Sequence, residues 1–228
     1  MTSPPTRLAA MHPAYFALVM ATGIVSLACH TMGLPLPAKG LFACNLAFYP
    51  ALWILTLVRF VRHRAQVVAD LRNHSRSVGF FTTVAATCVL GTQCFLIGGA
   101  YQAALAFWVS GIALWALLTY AVFTIIIVKP EKPALAEGLN GGWLVSVVAA
   151  QSVCVLGAQL APGMGQHAPP VLTFCLAMWL GGGMLYLWII ALIFYRYAFF
   201  TMSPSDLAPP YWINMGAAAI STLAGTML

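Results

Sequence analysis

The sequence predicts an all-α integral membrane protein of repeated, parallel helical hairpins, in which odd-numbered helices form an inner pore ring and even-numbered helices an outer ring. Composition is the first observation: 62% of the residues are hydrophobic and 6% are charged, and the mean hydropathy is +0.92. A soluble domain carries about a quarter charged residues, so most of this surface must face lipid or other apolar helices. The other two observations are a series of apolar segments of membrane length and a regular alternation in their composition.

The first three segments are separated by helix-breaking and basic residues. Residues 14–31 form an apolar segment rich in small residues, and Gly33 and Pro35 follow it as helix breakers. The second segment, 40–61, ends in arginines that lead into a basic loop. The third, 78–98, ends in a pair of glycines that predicts a tight turn. Each is close to the roughly 20 residues that a helix needs to cross the hydrocarbon core.

The remaining four segments are bounded in the same way. The fourth, 101–128, is stopped by proline and charged residues, and the fifth, 142–161, follows glycine and asparagine turn residues. The sixth, 171–198, contains three consecutive glycines, which predict a kink or a close helix contact. The seventh covers 211–228. We interpret residues 1–228 as a single transmembrane domain with seven spans.

The basic residues predict the orientation of these spans. If the N-terminus is cytoplasmic, all ten Lys and Arg residues except Lys39 lie on the cytoplasmic side. Membrane proteins carry such an excess of Lys and Arg in their cytoplasmic loops. The acidic residues fall on the same side: Asp70, Glu131, Glu137 and Asp206. We therefore expect a multi-pass protein in contact with membrane lipid, in the inner (plasma) membrane of a bacterium, with its N-terminus in the cytoplasm.

An internal repeat relates the hairpins to one another. Odd spans open with an aromatic residue and continue in small residues: YFALVMATG at 15, FFTTVAATC at 80, GWLVSVVAAQS at 142 and YWINMGAAAIS at 211. Even spans carry a Leu-Trp pair, at 52, 114 and 187. Each unit enters from the same side, so the repeats are parallel. Small residues allow close helix approach or leave open space, whereas bulky ones suit lipid, which predicts the inner and outer rings. The alternative is that the odd spans pack tightly with no pore.

Each odd span carries a narrow stripe of small or weakly polar residues, taken at about 100° per residue. Facing one another, such stripes would line an uncharged, hydroxyl-bearing path that can donate hydrogen bonds to a passing anion. The alternative is that the hydroxyls bond carbonyls of their own helix and hold helices together. The candidate pore-lining residues are Thr22, Gly23, Ser26, Thr83, Thr87, Gly91, Ser146, Ala150, Asn214, Ala218, Ser221 and Gly225.

Several classes of function find no support in the sequence. No Asp, Glu, Lys or Arg lies deep in a span, although proton-driven carriers usually bury such a group. Neither GxSxG nor HExxH occurs, and the six cysteines have no metal-ligand spacing. We therefore expect no catalytic residues, no enzyme activity, no metal and no cofactor. No nucleic-acid motif accompanies the basic residues, so no nucleic acid is expected as a partner.

Two stretches carry a family resemblance. HPAYFALVMATGIVSLA at 12–28 and PPYWINMGAAAISTLAG at 209–225 resemble the first and seventh spans of the tellurite-resistance/C4-dicarboxylate transporter family. Slow anion channels, malic acid permeases and sulfite efflux pumps are relatives within it. The resemblance implies ten helices, five of them around a central pore gated by a phenylalanine on the ninth helix. It also implies a homo-oligomer of three copies, each with its own pore.

The resemblance implies anion permeation. We expect a C4-dicarboxylate (malate-like) transporter or an anion channel whose partner is a small anionic solute. Export of sulfite or tellurite is the alternative. A seven-helix receptor or a non-conducting membrane fragment is the alternative of another class. Because five hairpins need more residues than this chain has, we also expect it to be truncated after the seventh span, without spans 8–10 and the gating phenylalanine.

Overall fold

The computed structural model describes residues 8–202 and 209–228, and within these it contains helices and no strand. Its α-helices alternate between long ones of membrane length and short ones at one end. They are α1 Ala17–Thr31, α2 Pro35–Arg62, α3 Arg64–Arg72, α4 His74–Ser77, α5 Thr82–Leu96, α6 Tyr101–Val128, α7 Leu135–Gly138, α8 Val145–Leu160, α9 Ala168–Phe199 and α10 Ile213–Thr226.

Four of these helices begin in the same way. Each of α1, α5, α8 and α10 follows directly on a four-residue 3₁₀ helix that contains at least one aromatic residue. The 3₁₀ helices are Pro13–Phe16, Val78–Phe81, Gly141–Leu144 and Pro209–Trp212. The four odd-numbered spans therefore share a structural frame as well as a sequence pattern, and positions can be compared by counting from the end of each 3₁₀ helix.

The long helices form two layers. The four odd-span helices, called inner helices below, form a row in which α1 packs on α5, α5 on α8, and α8 on α10. The outer helices lie behind them, with α2 against α1, α6 against α5 and α8, and α9 against α8 and α10. Helices α5 and α8 are buried almost all round, whereas the outer helices expose large apolar side chains such as Ile54, Leu117 and Trp188. The expected all-α membrane architecture with an inner and an outer set of helices is confirmed.

The helix bounds agree with the predicted spans within a few residues, and the largest difference is at α2. This helix begins at Pro35, although Pro35 was expected to break the helix. Proline is well suited to a first helical turn, where its missing N–H would have no intrahelical acceptor. The turn before α2 is made by Gly33, whose φ of 74° lies in the left-handed region that favours glycine.

Five segments of the described residues are long and apolar enough to cross a membrane. The fifth, Gly141–Phe199, includes both α8 and α9, which pack against each other on either side of a turn at Gly165 with φ of 53°. The last predicted span, 211–228, corresponds to the 3₁₀ helix at 209–212 and α10, which are not among the five. That α10 crosses the membrane stays a prediction.

The glycine run in α9 does not break the helix, which is continuous from Ala168 to Phe199. Only the middle glycine makes a close contact: a Cβ on Gly182 would lie 2.7 Å from Nε2 of Gln151 and 3.3 Å from Cβ of Ala150. Gly181 and Gly183 have no neighbour within 4 Å at that position. Of the two predicted consequences of the run, the structure therefore shows the close helix contact.

Apart from Lys39 near the start of α2, the charged residues of the described chain gather at one end of the bundle. The basic loop after α2 is itself helical, as α3 and α4. There Asp70 forms ion pairs of 2.6 Å with both Arg59 and Arg76. Arg196, near the end of α9, donates to the carbonyl of Leu139 at 3.1 Å. These contacts tie the ends of outer helices to the segments that precede inner helices. Arg7 and Asp206, two of the charged residues that predict the orientation of the spans, lie outside the described residues.

Candidate functional site

The small-residue stripe of α1 lies against the outer layer. The hydroxyl of Ser26 donates to the carbonyl of Ala38 in α2 at 2.7 Å. A Cβ on Gly23 would lie 3.0 Å from Nδ2 of Asn45, also in α2, and would overlap Val89 of α5. Thr22 is half-buried. The two most buried members of this stripe thus fill the contact between α1 and its neighbours.

The stripe of α5 is turned in the same direction. Thr87 shares a 2.8 Å hydrogen bond with the hydroxyl of Tyr49 in α2. A Cβ on Gly91 would lie 2.5 Å from Leu156 and 3.0 Å from Phe107 of α6. Thr83 lines a small cavity together with α2 residues. All three stripe residues of α5 therefore lie beside helices of the outer layer.

The stripes of α8 and α10 contact α9. Ala150 lies at Gly182, as described above. The side-chain oxygen of Asn214 accepts a hydrogen bond from Tyr186 at 3.1 Å, and a Cβ on Gly225 would lie 3.0 Å from the ring of Trp179. Ala218 is exposed. In this row too, the small side chains allow an inner and an outer helix to approach closely.

Most hydroxyls of the stripes are bonded within their own helix. Thr87 donates to the carbonyl of Thr83 at 2.6 Å, Ser146 to that of Trp143 at 2.7 Å, and Ser221 to that of Ala217 at 2.7 Å. Such back-bonding leaves the hydroxyl proton engaged. The structure assigns helix packing to these residues, and their part in lining a path stays a prediction.

A second face of each inner helix lies opposite its stripe. It contains the fourth, eighth and eleventh residues after each 3₁₀ helix, about half a turn from the stripes at 100° per residue. We call these positions the inner face: Met20, Ile24, Leu27, Ala85, Val89, Thr92, Val148, Ser152, Val155, Gly216, Ile220 and Leu223.

Residues of the inner face meet across the row of inner helices. Ala85 and Val148 are buried in one apolar cluster that also contains Ile189 and Ile193 of α9, and Met20 and Ile220 pack against this cluster. Gln159, four residues beyond Val155, continues this face of α8, is half-buried, and has a side-chain oxygen without a partner. The face is mainly apolar and ends in an amide that can donate hydrogen bonds.

Sequence reasoning missed the polar links between the two layers. The indole N–H of Trp108 in α6 donates to the carbonyl of Val153 in α8 at 3.0 Å, and that of Trp179 in α9 donates to the carbonyl of Ser221 in α10 at 2.9 Å. Both carbonyls belong to the ninth residue after a 3₁₀ helix. A buried tryptophan needs such an acceptor. Only a comparison of the inner helices, counted from the end of each 3₁₀ helix, would have identified the ninth residue as that acceptor.

Charge is absent from the described inner helices, α1, α5, α8 and α10, which contain no Asp, Glu, Lys or Arg. Over the same part of the chain that the structure describes, no group of three or more His, Cys, Asp or Glu residues is arranged to hold a metal ion. The inner face is mainly apolar and ends in an amide, and its two hydroxyls, those of Thr92 and Ser152, donate to carbonyls of their own helices at 3.1 Å and 2.7 Å.

The chain matches one family model and several known membrane proteins. The model of the voltage-dependent anion channel family matches residues 10–228. An uncharacterized transporter of Methanocaldococcus jannaschii is 29% identical over 220 residues, covering 93% of this chain and 62% of the relative. A second uncharacterized transporter of that organism is 27% identical over 217 residues, covering 92% of this chain and 63% of the relative.

A shorter match, 46% identical over 41 residues, is to an uncharacterized membrane protein of Mycobacterium tuberculosis, and covers 18% of this chain and 21% of that protein. No solved structure matches the chain. The chain thus spans a little over three fifths of the length of the two transporters that it matches along most of its own length.

Proposed function

The chain belongs to the voltage-dependent anion channel family, and on that premise we propose that it serves the passage of small anions across a membrane. The membership makes it an integral, multi-pass membrane protein, in keeping with its apolar helices. The solute and the path that it takes through the protein are the two parts of this proposal.

The observation that carries the proposal is the uncharged row of inner helices. Four helices with a common 3₁₀ start pack side by side in one row, and none of them contains Asp, Glu, Lys or Arg. A fixed positive charge in such a path would hold an anion tightly, whereas an uncharged amide donor binds it weakly enough for release. Because the described inner helices contain no Asp, Glu, Lys or Arg, coupling to protons is not supported, and we propose passive or weakly coupled movement.

We propose the inner face, and not the small-residue stripes, as the lining of the path. The stripes are occupied by contacts with α2, α6 and α9. On the inner face, Ile24, Gly216 and Leu223 of α1 and α10 are exposed. This assignment keeps the predicted inner ring and moves its lining by about half a helical turn.

For the solute we propose C4-dicarboxylates such as malate, with sulfite or tellurite as the alternative. The support is the resemblance of residues 12–28 and 209–225 to the transporter family described above. The same resemblance supports a homotrimer. The excess of basic residues on one side supports a cytoplasmic N-terminus in a bacterial inner membrane.

Flux into liposomes tests the proposal. We expect vesicles that contain the purified chain to take up labelled malate faster than empty vesicles, and excess unlabelled malate, sulfite or tellurite to compete according to selectivity. Recovery of chemically unchanged malate separates transport from catalysis. Absence of flux for all three anions, with the protein folded and inserted, would contradict the proposal and favour a non-conducting membrane protein.

A further inference from the structure

A groove of about 520 Å³ lies on the outer layer of the protein, where α6 ends. One wall consists of the last turn of α6 and the residues that follow it, and Arg72, the last residue of α3, contributes the other. Pockets for small organic ligands have volumes of about 300–1,000 Å³. None of the residues that line the groove belongs to an inner helix, so the groove is separate from the proposed path.

The α6 side of the groove is apolar. Helix α6 is one of the five segments that are long and apolar enough to cross a membrane, and it ends at Val128. Ile125 and Val128 line the groove, and Val128 is 72% exposed. The groove therefore begins beside the hydrocarbon of the bilayer and continues to the level at which charged residues replace apolar ones, where lipid headgroups lie.

Two basic side chains border the groove at that level. Lys129 is the first residue after α6, and its Nζ donates to the carbonyl of Arg72 at 3.3 Å, which uses one of its three donors. Arg72 is exposed, and its guanidinium forms no ion pair with the described residues. Glu131 also borders the groove. The groove thus has one positive charge in excess.

The exposed side of α3 continues this basic surface. Arg64, Val68 and Arg72 follow one another at intervals of four residues, so they lie on one face of the helix, and all three are exposed. A helical face that combines arginines with an exposed apolar residue is typical of a helix at the membrane surface. This pattern favours a position of α3 in which lipid headgroups reach Arg72.

The chemistry of the groove fits an anionic phospholipid better than a water-soluble anion. A soluble anion uses the basic side chains but leaves Ile125 and Val128 uncovered, whereas an acyl chain covers them. The phosphodiester of phosphatidylglycerol carries a single negative charge, equal to the excess positive charge of the groove. A zwitterionic headgroup instead brings an ammonium group towards Arg72 and Lys129, which repel it.

We propose that the groove between the ends of α3 and α6 binds one anionic phospholipid. Its phosphodiester lies at Arg72 and Lys129. One of its acyl chains covers Ile125 and Val128. The bound lipid links α3 to α6, and because α3 leads through α4 to the inner helix α5, it stabilises the connection between the two layers.

Lipid titration of the purified full chain in a neutral detergent tests this proposal. We expect the thermal unfolding midpoint to rise saturably with added phosphatidylglycerol, to rise less with phosphatidylcholine, and to stay constant with inorganic phosphate. Native mass spectrometry, which counts retained lipid molecules, gives a second readout that does not depend on stability. An equal rise with inorganic phosphate would show a site for soluble anions and overturn the proposal, as would a chain that neither responds to phosphatidylglycerol nor retains it.

Two arginines on the same face of α3 provide a matched pair of variants. Arg72→Gln should weaken the apparent affinity for phosphatidylglycerol about fivefold, the contribution of one basic side chain beside an anionic headgroup. Arg64→Gln removes the same charge about 12 Å away along the helix and outside the groove, so it should leave the affinity unchanged. Equal losses in the two variants would indicate diffuse attraction to anionic lipid and would overturn the proposal.

Glu131→Gln tests the kind of headgroup. The substitution removes a negative charge beside the groove, so it should strengthen the binding of phosphatidylglycerol. A zwitterionic lipid would instead use Glu131 as the partner of its ammonium group. Weaker lipid binding in Glu131→Gln, or phosphatidylcholine binding as tightly as phosphatidylglycerol to the unaltered chain, would therefore overturn the assignment of an anionic lipid.

Discussion

Single glycines decide how closely the two layers of this protein approach. Gly91 lies where α5 meets Leu156 and Phe107, so that even a methyl group there would overlap its neighbours. Gly183, in α9, has no neighbour within 4 Å at the position of a Cβ. Close packing therefore requires glycine at position 91 but not at position 183.

We expect Gly91→Ala to lower the free energy of unfolding by about 1–3 kcal/mol, the usual result of overpacking. Gly183→Ala should raise it by up to about 1 kcal/mol, because alanine is the better helix former. Unfolding of both variants in detergent micelles measures the difference. Equal effects of the two substitutions would show that the close contact at Gly91 is absent.

His12 combines a structural hydrogen bond with a titratable ring. Burial lowers the pKa of His12 below its ordinary value of 6.5, the nearby Arg76 and Arg59 lower it further, and Asp70 opposes them. The neutral ring accepts a hydrogen bond from the amide of Ala14, which protonation of Nδ1 would remove. The unfolded chain therefore binds the proton more readily than the folded one does.

We expect this contribution to stability to be complete above pH 6.5 and to be lost as the pH falls through the lowered pKa of His12. His12→Asn keeps an acceptor for the Ala14 amide and removes the titration. The unfolding midpoint of the variant should therefore fall less between pH 7.5 and pH 5.5 than that of the original chain. Parallel pH profiles would exclude a contribution from His12.

Each inner helix has a small-residue stripe and an inner face, and the proposed path depends on which of the two lines it. Gly216, the fourth residue after its 3₁₀ helix, lies on the inner face of α10 with open space at its Cβ position. A larger side chain fits there without a clash and would narrow the proposed path. Gly183→Leu, equally unobstructed in α9, is the matched substitution outside that path.

We expect Gly216→Leu to reduce malate flux several-fold with an unchanged unfolding midpoint, and Gly183→Leu to leave flux unchanged. Ser26→Ala should lower stability by about 1 kcal/mol through the lost bond to Ala38 and spare flux. Full flux in Gly216→Leu together with lost flux in a folded Ser26→Ala protein would show that the stripes, and not the inner face, line the path.

The sequence predicted the helices well, whereas the face of each inner helix that lines a path stays a prediction. Apolar length, turn glycines and the repeat are local signals, and they located α1, α5, α6, α8 and α9 within a few residues. Small residues, however, serve equally to line a path and to bring helices together. Ser26 bonds to α2 and Asn214 to α9. These partners depend on how the helices pack together, which the periodicity of a sequence does not reveal.

The described residues form a basic end and an opposite end whose one basic side chain is that of Lys39. Arg59, Arg76, Lys129 and Arg196 all lie where outer helices finish and segments leading to inner helices begin. If this end is cytoplasmic, Met32, which is 76% exposed between α1 and α2, faces the other side of the membrane.

We expect an impermeant maleimide to label Met32→Cys in intact cells, and Ser75→Cys, in α4, only after the membrane is opened. The native cysteines at 29, 44, 88, 94, 154 and 175 all lie in long helices, so the unaltered chain gives the background. The reverse labelling pattern would place the N-terminus outside.

The tryptophan links between layers bear on how the protein is made. Trp108 is synthesised with α6 but its acceptor, the carbonyl of Val153, arrives only with α8; Trp179 of α9 likewise precedes Ser221 of α10. Helices α6 and α9 thus enter the bilayer with an indole N–H whose acceptor belongs to a later segment. In hydrocarbon an unpaired donor is unfavourable, so insertion of the following inner helix removes this cost and favours its docking against the outer helix already in place.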